Sequence, residues 1–275
     1  MLTKNLKSVV EESKRKNLTK SLTINLLKET LQYYTLNYIY SSNYGKKLLF
    51  TGGTCLRICY NLNRLSEDLD FDEVEPINKQ QLTDDLLKYF RADWQYKQIE
   101  ANISGTNEKI YLKFPILDEL GLVNNISDMK KLFIKVEIAT NPSKKYLTDI
   151  TPISLYGFNF LVRSYDLPTL MANKINALLN RTWQKGNSKI TFKGRDYYDL
   201  LWFLQNGVKP NMDRLKDLTG ISSKKELTSR LEQNINKINP SYLKEDLINL
   251  FEDQKYIQDI INNYPFLINK YLKKM

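Results

Sequence analysis

The chain has 275 residues, enough to bury a sizeable core in one large domain or two modest ones. It is 42% hydrophobic and 26% charged, with a formal net charge of +10 that favours a polyanionic partner. It has no histidine, which excludes Ser-His-Asp and Cys-His catalysis and leaves acid–base or metal work to carboxylates, Lys or Tyr.

The N-terminal stretch MLTKNLKSVVEESKRKN mixes both charge signs without an apolar centre, so it does not read as a secretory signal. No run approaches the ~18 apolar residues of a membrane span, and a soluble cytoplasmic protein without a membrane partner is expected. Residues 18–43 carry Leu22, Leu26, Leu27, Leu31, Tyr34, Tyr38 and Ile39 at roughly helical spacing and predict an amphipathic helix. Leu48-Leu49-Phe50 then reads as a strand, Gly52-Gly53 as a turn, and CLRICYNL as a helix with Thr54 as its N-cap. Cys55 and Cys59, four apart on that helix, read as small buried hydrophobes rather than a disulfide.

SEDLDFDEV, residues 66–74, alternates acidic and apolar side chains as a strand does. Residues 79–93 look helical, short β-like runs follow between Ile99 and Phe114, and LFIKVEIAT (132–140) is the clearest strand. Pro142 to Pro152 reads as a loop with a short edge element. From Leu167 onward nearly everything is helical: LPTLMANKINALLNR, RDYYDLLWFLQ and three further helices, broken near Gly207–Pro210 and at Pro240 and Pro265. This order predicts an α+β chain divided into residues 1–160 and an all-helical 161–275.

In Asp68-Leu69-Asp70-Phe71 the two carboxylates sit at i and i+2, so a strand places them on one face and the apolar pair on the other. Carboxylates held side by side repel each other unless a cation neutralises them, and hard oxygen donors suit Mg²⁺ or Mn²⁺. Gly52 and Gly53 offer free backbone N–H groups at a helix N-terminus, where a phosphate is favoured. Either feature alone is compatible with a solvated acidic edge and an ordinary turn; together, separated by one helix, they point to a phosphate cradle beside a metal clamp. Glu137 is the candidate third carboxylate, sharing a face with Lys135 opposite Val136 and Ile138. A second group gathers Lys174, Arg181, Arg195, Asp196 and Asp199. Met171 to Arg195 holds six basic residues and no acidic one, whereas residues 67–75 are acidic at six of nine positions. This separation suits an acidic metal site served by a basic surface for triphosphate or RNA, although a solvated basic helix face gives the same charge pattern.

FTGGTCLRICYNLNRLSEDLDF, FIKVEI, ANKINALLNR and GRDYYDLLWFL, in that order over residues 48–204, resemble the motifs of the AbiEii/AbiGii nucleotidyltransferase toxins, which include the MenT toxins. The resemblance implies a polymerase-β-type nucleotidyltransferase core with a C-terminal all-helical domain. It implies that Asp68 and Asp70 hold Mg²⁺ and that Lys174 and Asp196 complete the active site. It adds Arg57, Ser66, Arg181 and Arg195 to Gly52, Gly53 and Thr54 as nucleotide-binding positions. One departure is Gly53, where the wider superfamily usually has Ser. The implied setting is a toxin–antitoxin or abortive-infection (phage-defence) system, with a cognate antitoxin encoded nearby and not necessarily in direct contact.

The expected reaction is attack of a hydroxyl, at the 3′ end of tRNA or another RNA, on the α-phosphate of an NTP, assisted by two metals bound to Asp68, Asp70 and Glu137. Two other readings stay open: a nucleotide- or RNA-binding module without turnover, and a small-molecule nucleotidyltransferase of the antibiotic-modifying kind.

Overall fold

A computed structural model describes residues 1–104, 109–125, 127–180 and 192–275. They form two compact units, one of Met1–Asn141 with Ile150–Ser164 and one of Pro142–Asp149 with Tyr165–Met275.

The first unit opens with α1 (Leu2–Arg15), α2 (Lys20–Tyr40) and the single turn α3 (Tyr44–Lys47). Next come β1 (Leu48–Thr51), α4 (Gly52–Tyr60), β2 (Asp68–Glu73) and α5 (Lys79–Ala92). Strands β3 (Glu100–Ile103), β4 (Lys109–Phe114), β5 (Leu132–Thr140), β6 (Thr148–Leu155) and β7 (Phe158–Tyr165) complete a seven-stranded sheet of order β3-β4-β5-β2-β1-β7-β6. The sheet is mixed: β2 lies antiparallel to β1 and parallel to β5, while β1 lies parallel to β7.

β2 and β5, at the middle of the sheet, alternate in burial. Leu69, Phe71, Ile134, Val136 and Ile138 are buried, and Asp68, Asp70, Lys135 and Glu137 take the partly open face. α2 is a helix where one is predicted, but it is not one-sided as an amphipathic helix would be. Glu29, Thr30, Gln32 and Thr35 are buried along with its leucines. The burial is tolerable because the polar groups find partners: Thr30 and Thr35 donate to carbonyls one turn back, and Gln32 donates to the Ser66 carbonyl at 3.0 Å. Tyr34 lies at the centre of an aromatic cluster with Phe90, Trp94 and Phe158, at ring separations of 4.5–6.4 Å.

α1 and β7 had no clear signal in the sequence. α1 packs on α2 through Leu2, Leu6 and Val10, a stripe of only three apolar residues on a highly charged helix. The short edge element expected within Pro142–Pro152 is β6, which runs on beyond it, and β7 follows outside that span. They are joined at Tyr156-Gly157, both with positive φ as a tight hairpin turn requires, and Pro152 is accommodated because β6 is an edge strand.

The second unit contains α6 (Leu167–Asn180), α7 (Gly194–Gln205), α8 (Met212–Thr219), α9 (Lys224–Ile235), α10 (Pro240–Leu247) and α11 (Gln254–Leu272). Four α-helices thus follow α7 where three were expected. Pro240 opens α10 at its first turn, where its missing N–H costs nothing, and Pro265 lies inside α11 rather than ending it. Arg214, fully buried, joins the 142–149 segment to the helices. Its guanidinium donates to Asn173 Oδ1 at 2.6 Å and to the Ser143 carbonyl at 2.9 Å, and covers the Tyr165 ring at 4.8 Å.

Candidate active site

In the first unit the site begins where β1 ends. Thr51 is extended and caps α4, so the helix starts at Gly52 and Thr54 lies inside its first turn rather than at the N-cap that the sequence suggests. Gly52 has φ +79°, and a Cβ there would lie 2.1 Å from Asp70 Oδ2. Only glycine lets the chain turn this way with the carboxylate against it. At Gly53 a Cβ would meet Arg64 Nη2 at 2.6 Å and Ser66 Oγ at 2.9 Å. The space beside Gly53 is thus taken by a guanidinium and a hydroxyl brought in from the following loop. The buried Thr54 hydroxyl donates to the Asp68 carbonyl and fixes α4 against the start of β2.

Asp68 and Asp70 extend from the same face of β2, and the parallel register with β5 sets Lys135 opposite Asp68 and Glu137 opposite Asp70. Lys135 Nζ lies 2.9 Å from Asp68 Oδ2 and 3.0 Å from Glu137 Oε2. Burial works against its charge, but the two carboxylates outweigh this and hold Lys135 above the ordinary lysine value of 10.5. Glu137 Oε1 is also 4.0 Å from Lys109 Nζ. Among the described residues no three carboxylates or thiols are grouped to hold a metal ion. The Asp68–Asp70 pair itself offers hard oxygen donors on one face, a donor set that fits Mg²⁺ or Mn²⁺ with water or phosphate as further ligands.

Other predicted positions have structural partners. Arg57 donates to Glu29 Oε1 at 2.7 Å and to the Leu62 carbonyl at 3.3 Å, which ties α4 to α2. Ser66 is buried, and its hydroxyl faces Gly53. Cys55 and Cys59 are free thiols, as their spacing suggests. A cavity of about 660 Å³ beside α5, lined by Asp84, Lys88, Arg91 and Lys97 among others, contains none of the predicted residues.

In the second unit Lys174, on α6, reaches the first two turns of α7. Its ammonium lies 2.7 Å from Asp196 Oδ1 and 2.9 Å from Asp199 Oδ2, and all three side chains are largely buried. Arg195 is half-buried beside them at the start of α7. The N-terminus of α7 has no side-chain cap from Lys193; instead the Gly194 N–H donates to Asp246 of α10 at 2.8 Å. Arg181 lies outside the described residues. Arg64 and Asp246 escape sequence reading because each acts through a partner that only the fold brings near, and Lys135, readable beside Glu137, is not readable as a partner of Asp68.

A glycine turn opens a helix beside an Asp-x-Asp strand on a mixed sheet, and a helical unit follows, an α+β arrangement compatible with a nucleotidyltransferase. The sequence profile of the nucleotidyl transferase AbiEii toxins of type IV toxin–antitoxin systems matches residues 36–269, and the chain belongs to that family. Among solved structures it is similar to JHP933 of Helicobacter pylori (TM-score 0.50, 18% identity, covering 91% of this chain and 92% of that one). It is also similar to MenT4, a nucleotidyltransferase toxin of Mycobacterium tuberculosis (TM-score 0.50, 15% identity, covering 95% and 98%). At these identities the likeness is one of fold. A sequence search of characterised proteins found no match. No helix among the described residues is long and apolar enough to cross a membrane.

Proposed function

We propose that this chain transfers a nucleoside monophosphate from an NTP to a hydroxyl of an RNA, with the 3′ end of tRNA as the preferred acceptor, and that this activity makes it toxic. The observation that carries the reading is the placement of Asp68 and Asp70 on one face of β2, with Asp70 pressed against the Gly52 turn. Asp68 and Asp70 would hold a divalent cation, Mg²⁺ or Mn²⁺, which supplies neutralisation of the charge on the phosphate oxygens. The first N–H groups of α4, which lack intrahelical acceptors, bind phosphate at Gly52, Gly53 and Thr54. Arg64 adds a fixed positive charge beneath that turn.

Lys174 is assigned to the triphosphate, with Asp196 and Asp199 holding its ammonium in place. Arg181 and Arg195 are assigned to nucleotide or RNA phosphates. In the reaction a bond forms between the acceptor oxygen and the α-phosphorus, and the bond to the β-phosphate bridging oxygen breaks. Pyrophosphate leaves, and the hydroxyl proton passes to a carboxylate of the acidic face. An RNA acceptor is favoured by the charge balance of the second unit, which has 20 Lys and Arg against 13 Asp and Glu, compared with 21 against 18 in the first. A cognate antitoxin encoded nearby restrains the activity in the cell.

The test offers each of the four labelled NTPs with total bacterial RNA and, separately, with a small-molecule extract. Label in RNA of tRNA size supports the proposal. Label only in small molecules replaces the acceptor class, and nucleotide bound without turnover replaces the enzyme by a binding module.

A further inference from the structure

The acidic face already contains a cation of its own. In the parallel β2–β5 register Lys135 lies opposite Asp68 and reaches Asp68 Oδ2 and Glu137 Oε2 at 2.9 and 3.0 Å, with about a quarter of its side chain exposed. The remaining Glu137 oxygen lies 4.0 Å from Lys109. Glu137 is thus engaged by two ammonium groups, and Asp68 shares one of them. A divalent ion bridging Asp68 and Glu137 would have to occupy the space that Lys135 fills, next to a positive charge that repels it.

We propose that Lys135 is a built-in cation taking the place of a second divalent ion between Asp68 and Glu137, so that the chain binds a single divalent ion, on Asp68 and Asp70. Glu137 is then a positioning residue that holds Lys135 rather than a metal ligand. This rests on the reading of Asp68 and Asp70 as metal carboxylates, and departs from the two-metal arrangement that the sequence leads one to expect. Because Lys135 is anchored by strand pairing, its charge is supplied at every metal concentration.

The proposal is tested on the full-length protein with Mn²⁺ alone as the probe, counting bound ions by the loss of the free-ion electron paramagnetic resonance signal. The wild type should bind one Mn²⁺ per chain, Lys135→Met should bind two, and Lys135→Arg should return to one. Glu137→Gln should leave the wild-type stoichiometry at one and abolish the second ion of Lys135→Met. Two ions on the wild type, or one on a folded Lys135→Met, overturn the proposal while leaving the metal reading of Asp68 and Asp70 intact. No ion on the wild type, or binding that Asp70→Asn leaves unchanged, overturns that reading and this proposal with it. A wild-type count of two or of none overturns the proposal even if a variant fails to fold.

Discussion

At the residue scale the site depends on Gly52. Its positive φ disfavours any L side chain, and its missing Cβ makes room for the Asp70 carboxylate. Gly52→Ala should cost about 1–2 kcal/mol of stability, read by urea denaturation, from backbone strain alone. It should also displace Asp70 and reduce nucleotidyl transfer by about 100-fold in the folded fraction, since small misplacements of reacting groups are costly. A variant of wild-type activity would show that Asp70 is not held by this turn. Asp68 and Asp70 are legible in the sequence because acidic–apolar alternation has a direct structural meaning on a strand. Lys135 is legible only as a neighbour of Glu137. Its approach to Asp68 depends on which strands pair and in what register, and no local pattern encodes that. Arg64 is hidden for a related reason: its role lies in the space left by Gly53, eleven positions earlier in the chain.

At the element scale α7 carries Asp196 and Asp199 to Lys174, and its start is held from α10 through Asp246. Asp246→Ala removes the acceptor for the Gly194 N–H. It should destabilise the protein by about 1 kcal/mol, as the loss of a helix cap does. Hydrogen exchange should report faster opening confined to the first turn of α7, and a protection pattern identical to wild type would contradict the assignment. The C-terminal helices, which carry no motif, thereby acquire a supporting role. The OH of Tyr264 on α11 also donates to the Tyr197 carbonyl of α7 at 3.0 Å. Strong periodicity made α5, β5 and α7 readable from sequence. The β6–β7 hairpin was less so: β6 carries Pro152 and the exposed Ile150 and Leu155, and in β7, which does alternate in burial, the exposed Leu161 between the buried Phe160 and Val162 masks that alternation in the sequence.

At the scale of the whole molecule, ionisation sets an alkaline limit on stability. Burial pushes the Tyr40 and Tyr264 hydroxyls well above their ordinary value of 10, with Tyr40 donating to the Arg163 carbonyl at 2.8 Å. Groups whose folded pKa is raised stabilise the native state below the unfolded value, and that contribution is lost as pH rises past it. Lys135, raised by its carboxylates, acts in the same direction. Unfolding free energy should therefore be insensitive to these groups below pH about 9 and fall steadily above pH about 10. Tyr40→Phe with Tyr264→Phe should flatten that decline, and an unchanged slope would assign it to other groups.

The proposed basis of toxicity is nucleotidyl transfer centred on Asp68 and Asp70. It is tested most directly by incorporation of labelled NTP into RNA by the wild type and by Asp68→Ala, with growth followed in cells expressing each. Loss of a carboxylate proposed to hold the charge-neutralising metal should reduce incorporation at least ~100-fold and relieve growth arrest, with the fold retained by circular dichroism. Incorporation and arrest that persist undiminished in the folded Asp68→Ala variant would contradict the account.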